Sequence, residues 1–141
     1  MNARPVTNLA SLRSNLTGRF TAAIREAGMV VPRRISMGVF ALLRDMAAGD
    51  GVMPVDVSTS TRRYGALGMA TAAGWAGYVA PMRHYRLTPT GRAVLREATE
   101  KGLMATLREL EERLEEAARD LAEDEPGRAG VPASLQGGTE N

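Results

Sequence analysis

The strongest constraint on the fold is the recurrence of apolar residues at steps of three and four in three separate stretches. Leu9, Leu12, Leu16, Phe20, Ile24 and Ala27 form the first stripe. Ile35, Val39, Leu42, Leu43 and Met46 form the second, and Leu103, Leu107, Leu110, Leu114, Ala117 and Leu121 the third. This spacing puts each set on one face of an α-helix, whereas a strand alternates its faces every second residue. Aromatic residues make up only 4% of the chain. The interior must therefore be filled by Leu, Val, Ile, Met and Ala, which suits packed helices better than a β-sandwich. A length of 141 residues allows one domain of ordinary size with tails.

Turn-forming residues punctuate the pattern. Gly28 is a natural end for the first helix, and Gly49-Asp50-Gly51 ends the second. Val52 and Met53 fit a very short strand, and Pro54 fits a turn or the first position of a short helix. Ser58, Thr59, Ser60 and Thr61 each offer a hydroxyl to cap a helix that runs from about Thr61 to Ala73, closed by Gly74. Gly77 to Ala80 and His84 to Leu87 have strand character and flank Pro81-Met82-Arg83, which predicts a small hairpin. Thr88 as N-cap and Pro89 at the first helical position open a long helix. That helix is expected to run through the third stripe, an a/d seam with Glu109 to Arg113 and Glu115 to Arg119 pairs on its flank. Beyond Glu125 the periodicity stops and Pro, Gly and Ser increase, which predicts a flexible tail over 126–141.

Charge is divided along the chain. Residues 1–101 carry 14 Lys/Arg against 6 Asp/Glu, and residues 102–141 carry 4 against 10. A basic binding region attached to an acidic segment is the expectation. Lys101 is the only lysine, and arginine is the better residue for bidentate phosphate and guanine contacts. There is no cysteine, which removes disulfides, thiolate metal sites and thiol nucleophiles. Arg4, Arg13 and Arg19 interrupt the first twenty residues, so neither a signal peptide nor a membrane span is expected there. The expected location is cytoplasmic, associated with the nucleoid.

No Gly-rich phosphate loop or nucleophile elbow occurs, and no enzymatic activity or cofactor is expected. His84 is the only histidine, which excludes a multi-histidine metal site within one chain. Glu111, Glu112, Glu115 and Glu116 lie among Arg108, Arg113 and Arg119 and read as a solvated helix flank, not as metal ligands. Trp75 reads as a core plug.

Gly74-Trp75 after a helix, followed by Tyr85-Arg86-Leu87-Thr88-Pro89-Thr90-Gly91-Arg92, resembles the end of the wing and the next helix in MarR/PadR-type transcription regulators, over roughly residues 35–98. The resemblance implies a mainly α winged helix-turn-helix with a small β-hairpin wing, flanked by an N-terminal helix and a long C-terminal coiled-coil helix. It divides the chain into an N-terminal amphipathic helix and arm (1–28), a winged-helix DNA-binding domain (29–100), a coiled-coil dimerisation helix (101–125) and the tail. It places Thr61, Arg62, Arg63 and Tyr64 at the start of a recognition helix, and Arg83 and His84 at the wing tip. Ser58 and Ser60 would position phosphate beside them, since free amides and hydroxyls at a helix start bind anions. Arg86 would hold the wing on the DNA backbone. The segment from Pro54 to Ser60 is short for the first helix of a helix-turn-helix. Gly65 and Gly68 also weaken the recognition helix by about 1 kcal/mol each.

The implied function is sequence-specific binding of double-stranded DNA by a homodimer that regulates transcription, with Leu103, Leu107, Leu110, Leu114, Ala117 and Leu121 at the dimer interface. The seam also suits packing within one chain against residues 9–24. The rival reading is an assembly or adaptor protein whose winged-helix fold and coiled-coil helix bind another protein.

Overall fold

The computed structural model describes residues 8–54, 61–80 and 84–124. The expected tail over 126–141, the arm before Asn8, and Ser58, Ser60 and Arg83 lie outside the described residues. Among those described, the chain is mainly helical with a small antiparallel sheet. The order is α1 (Leu9–Glu26), α2 (Met37–Ala48), β1 (Val52–Pro54), α3 (Thr61–Ala72), β2 (Ala76–Val79), β3 (His84–Leu87), α4 (Pro89–Glu100) and α5 (Leu103–Asp124). Two compact units are distinguished, one over Leu16–Arg108 and one formed by residues 1–15 with 109–141.

In the Leu16–Arg108 unit the predicted stripes face inward. Leu16, Phe20 and Ile24 are buried on α1, and Val39, Phe40, Leu42, Leu43 and Met46 on α2. Phe20 and Phe40 meet edge to face with ring centroids 5.5 Å apart, and Trp75 lies 5.9 Å from Phe40. Trp75 is thus a core residue, as its position after the helix suggests. Hydroxyls tie α1 to the start of α2: Ser36 Oγ donates to the Thr17 carbonyl at 3.4 Å and lies 3.2 Å from Thr21 Oγ1.

The ends of α1 and α3 share one device. Gly28 and Gly74 have positive φ, their amides donate to Arg25 and Thr71, and the next amides, of Met29 and Trp75, donate to the Ile24 and Ala70 carbonyls. The residue after each glycine, Met29 or Trp75, is buried, which completes the hydrophobic contact usual for this motif.

The sheet has the order β1-β3-β2. The expected hairpin forms between β2 and β3, with Ala76 opposite Leu87 and Tyr78 opposite Tyr85. The Val52–Pro54 segment adds a third strand on the other side of β3, with Val52 opposite Arg86. Pro54 is tolerated because β1 is an edge strand, where a missing amide breaks no central ladder.

Thr88 caps α4 as its sequence predicts. Its Oγ1 accepts from the Gly91 amide at 3.0 Å and donates to the Gly74 carbonyl at 2.6 Å, with Pro89 in the first turn. Gly91 packs against the Trp75 carbonyl so closely that a Cβ there would collide with it.

The expected single helix from Pro89 through the leucine seam is instead two helices. Gly102 has φ of 81°, and its amide turns back to the Thr99 carbonyl at 3.1 Å, ending α4 before α5 begins at Leu103. Only glycine adopts this left-handed backbone without strain. Lys101, beside the break, donates from Nζ to the Ala27 carbonyl at 3.0 Å and pairs with Glu97 at 3.4 Å. The leucine seam lies wholly within α5, after Gly102, so its periodicity does not register the break.

In the unit formed by residues 1–15 and 109–141, Asn8 Oδ1 accepts from the Ser11 amide at 2.7 Å and caps α1. Leu110 is buried, while Leu9, Leu12, Leu114, Ala117 and Leu121 are half-buried. Among the described residues no helix is long and apolar enough to cross a membrane.

Candidate nucleic-acid interface

The helix expected to carry recognition, α3, buries a modest face of Ala66, Leu67 and Ala70. Ala66 comes close enough to α2 that a Cβ on Gly38 would sit 4.0 Å from its own. Small residues on both helices therefore set the spacing between α2 and α3. This packing leaves the opposite side of α3 open along Arg62, Gly65, Gly68, Met69 and Ala72, all exposed.

The two arginines at the start of α3 have different environments. Arg63 Nη2 donates to Asp45 Oδ2 at 2.7 Å, and the other oxygen of Asp45 accepts from Arg44 Nε at 3.1 Å. Asp45 thereby holds Arg63 against α2. Arg62 projects from the exposed side of the same turn. Tyr64 is 39% exposed, so it is a rim aromatic and not a core one. Thr61 begins the helix, and the N-terminal end of a helix favours an anion.

On β3, Arg86 is exposed and stands between Val52 and Gly77 on the neighbouring strands. It lies on the face opposite the buried Leu87, since adjacent residues of a strand point to opposite sides. His84 is half-buried, and its Nε2 is enclosed with no hydrogen-bond partner among the described residues. That nitrogen is turned away from solvent, so the phosphate contact expected of His84 has no support at Nε2. Tyr78 and Tyr85 pair across β2 and β3 with ring centroids 4.9 Å apart, and Tyr78 is 50% exposed.

The leucines expected at a dimer interface fall into two groups. Leu103, Leu107 and Leu110 are buried within the chain itself, with exposures of 2%, 0% and 5%. They belong to the folded protein's own interior. Leu114, Ala117 and Leu121 are half-buried and retain apolar surface.

Two arginines that lie between the first two apolar stripes of the sequence stand beside α3. Arg33 and Arg34, in the turn before α2, line a groove together with Gly65, Gly68, Met69 and Ala72. The sequence signal was the pair of adjacent arginines, but nothing in a 31-residue separation from Gly65 announces their proximity. Comparison of the chain with protein-family models, with curated proteins and with solved structures gives no match.

Proposed function

We propose that this protein binds double-stranded DNA through a winged helix-turn-helix, in which α3 enters the major groove and the β2–β3 hairpin is the wing. The observation that carries this reading is the order α2, β1, α3, β2, β3, α4 with strands arranged β1-β3-β2. A helix with an exposed, arginine-bearing start is thereby followed at once by a hairpin with an exposed arginine. Arg62 supplies base readout or phosphate contact at the start of α3, and Arg86 supplies backbone contact from the wing. Arg63 has a positioning role through Asp45, which fixes the first turn of α3 on α2.

A two-fold dimer suits such a module, because two recognition helices then reach successive major grooves about 34 Å apart. Leu114, Ala117 and Leu121 cover a single heptad, which is short for a stable two-stranded coil. Leu9 and Leu12 of the same unit add half-buried apolar surface, so both terminal helices contribute to pairing in this reading.

The test is to measure the mass of the purified protein in solution and its affinity for a random 30-base-pair duplex across a salt series. A dimer whose affinity falls steeply with salt is expected. Arg62→Ala should weaken binding by about 1–3 kcal/mol on a selected specific site, and less on the random duplex. Absence of salt-sensitive DNA binding would overturn the proposal and favour an adaptor that binds protein.

A further inference from the structure

The turn between α1 and α2 and the open side of α3 form opposite walls of one groove of about 530 Å³. One wall carries Arg33 and Arg34, both exposed. Neither takes part in an ion pair or hydrogen bond among the described residues, and no carboxylate lines the groove. Arg63 on α3, by contrast, is paired with Asp45. Two uncompensated guanidinium groups next to each other repel, and they favour a ligand that brings negative charge to both.

The other wall is nearly free of side-chain bulk. A Cβ built on Gly65 or Gly68 meets nothing within 4 Å among the described residues, so no contact with them requires glycine at either position. Each glycine weakens the helix. What these positions provide is access to the helix backbone from outside. Met69 and Ala72 border that access with apolar surface of the kind that meets thymine methyl groups and sugars in a major groove.

We infer that Arg33 and Arg34 bind the phosphates that border the DNA groove entered by α3, extending the interface from α3 onto the turn before α2. This rests on the DNA-binding reading given above. Charge complementarity selects the occupant: every charged side chain in the groove is a guanidinium, and Arg62 continues the same sign at the exposed start of α3. The glycines let the sugar-phosphate wall approach α3 closely enough for two arginines on a separate turn to reach it.

The experiment compares the wild-type protein with Arg33→Gln/Arg34→Gln in fluorescence titrations of a random 30-base-pair duplex between 50 and 200 mM salt. Each phosphate contact contributes about 0.9 to the slope of log affinity against log salt, so losing two should flatten it by about 1.8. Over that fourfold range of salt, the loss of affinity should then be about 12-fold smaller than for wild type. Arg33→Lys/Arg34→Lys keeps both charges and should keep the wild-type slope. Circular dichroism and the unfolding midpoint should be unchanged in both variants, because both side chains are exposed. A wild-type protein that binds with a steep slope, beside a Gln variant of equal slope and affinity, would overturn this inference. It would leave DNA binding intact and place the DNA away from this groove. A wild-type protein with no salt-sensitive binding would instead overturn the DNA-binding reading itself.

Discussion

Helices α2 and α3 are each twelve residues long and pack against one another, yet they are built for opposite purposes. α2 buries Val39, Phe40, Leu42, Leu43 and Met46, whereas α3 buries Ala66, Leu67 and Ala70. A fully buried large apolar side chain contributes about 1.5–3 kcal/mol, so α2 stores most of the stability of the pair. α3 contributes one large residue and otherwise small ones that let it lie close to α2. The difference teaches that a helix can pack on the core through small residues without holding most of its stability, which leaves its outer face open to change. The comparison breaks if truncations on the two helices cost the same. Phe40→Ala removes a fully buried ring that touches both Phe20 and Trp75 and should cost about 3–5 kcal/mol in denaturant unfolding. Met69→Ala, on the open side of α3, should stay within about 0.5 kcal/mol.

A smaller effect sharpens the same contrast by testing why α3 uses alanine inward. Ala70 has no exposed surface. Ala70→Leu must push α3 away from its neighbours or force a poor rotamer, and should destabilise by about 1–3 kcal/mol. A neutral result would mean that the α2 and α3 contact is loose, and that small residues there are incidental.

Local signals made much of this architecture legible. The α1 and α2 stripes, the Thr88 cap with Pro89 behind it, and the β2–β3 hairpin all follow from interactions within a few residues of sequence. What the sequence did not reveal depends on distant partners or on a single backbone angle. The heptad spacing of the leucines begins only after Gly102, so it gives no sign of the left-handed backbone there that separates α4 from α5. Burial of Leu103, Leu107 and Leu110 in the chain is a tertiary fact, and the a/d pattern serves an internal core as well as a partner helix. In the candidate site, Arg62 and Arg63 looked equivalent. Asp45, 18 residues earlier, separates a positioned arginine from an exposed one. The pairing of β1 with β3 and the approach of Arg33 and Arg34 to α3 are likewise long-range and leave no periodic trace.

A further effect has the opposite sign and bears most directly on the proposed function. Gly68→Ala adds a methyl group where nothing lies within 4 Å among the described residues, in the interior of α3. Alanine reduces the backbone freedom of the unfolded chain and favours the helix, so the variant should be more stable than wild type by about 0.5–1 kcal/mol. Thermal unfolding measures that gain, and titration of the random duplex measures its consequence. If the open side of α3 approaches DNA closely, the stabilised protein should bind less tightly, since the added methyl stands where the groove wall would come. A gain in stability with unchanged affinity would show that α3 tolerates bulk on its outer face, and the contrast with α2 would then be one of packing alone. A loss of stability would contradict the open space around Gly68 and would place a neighbour against α3 in solution.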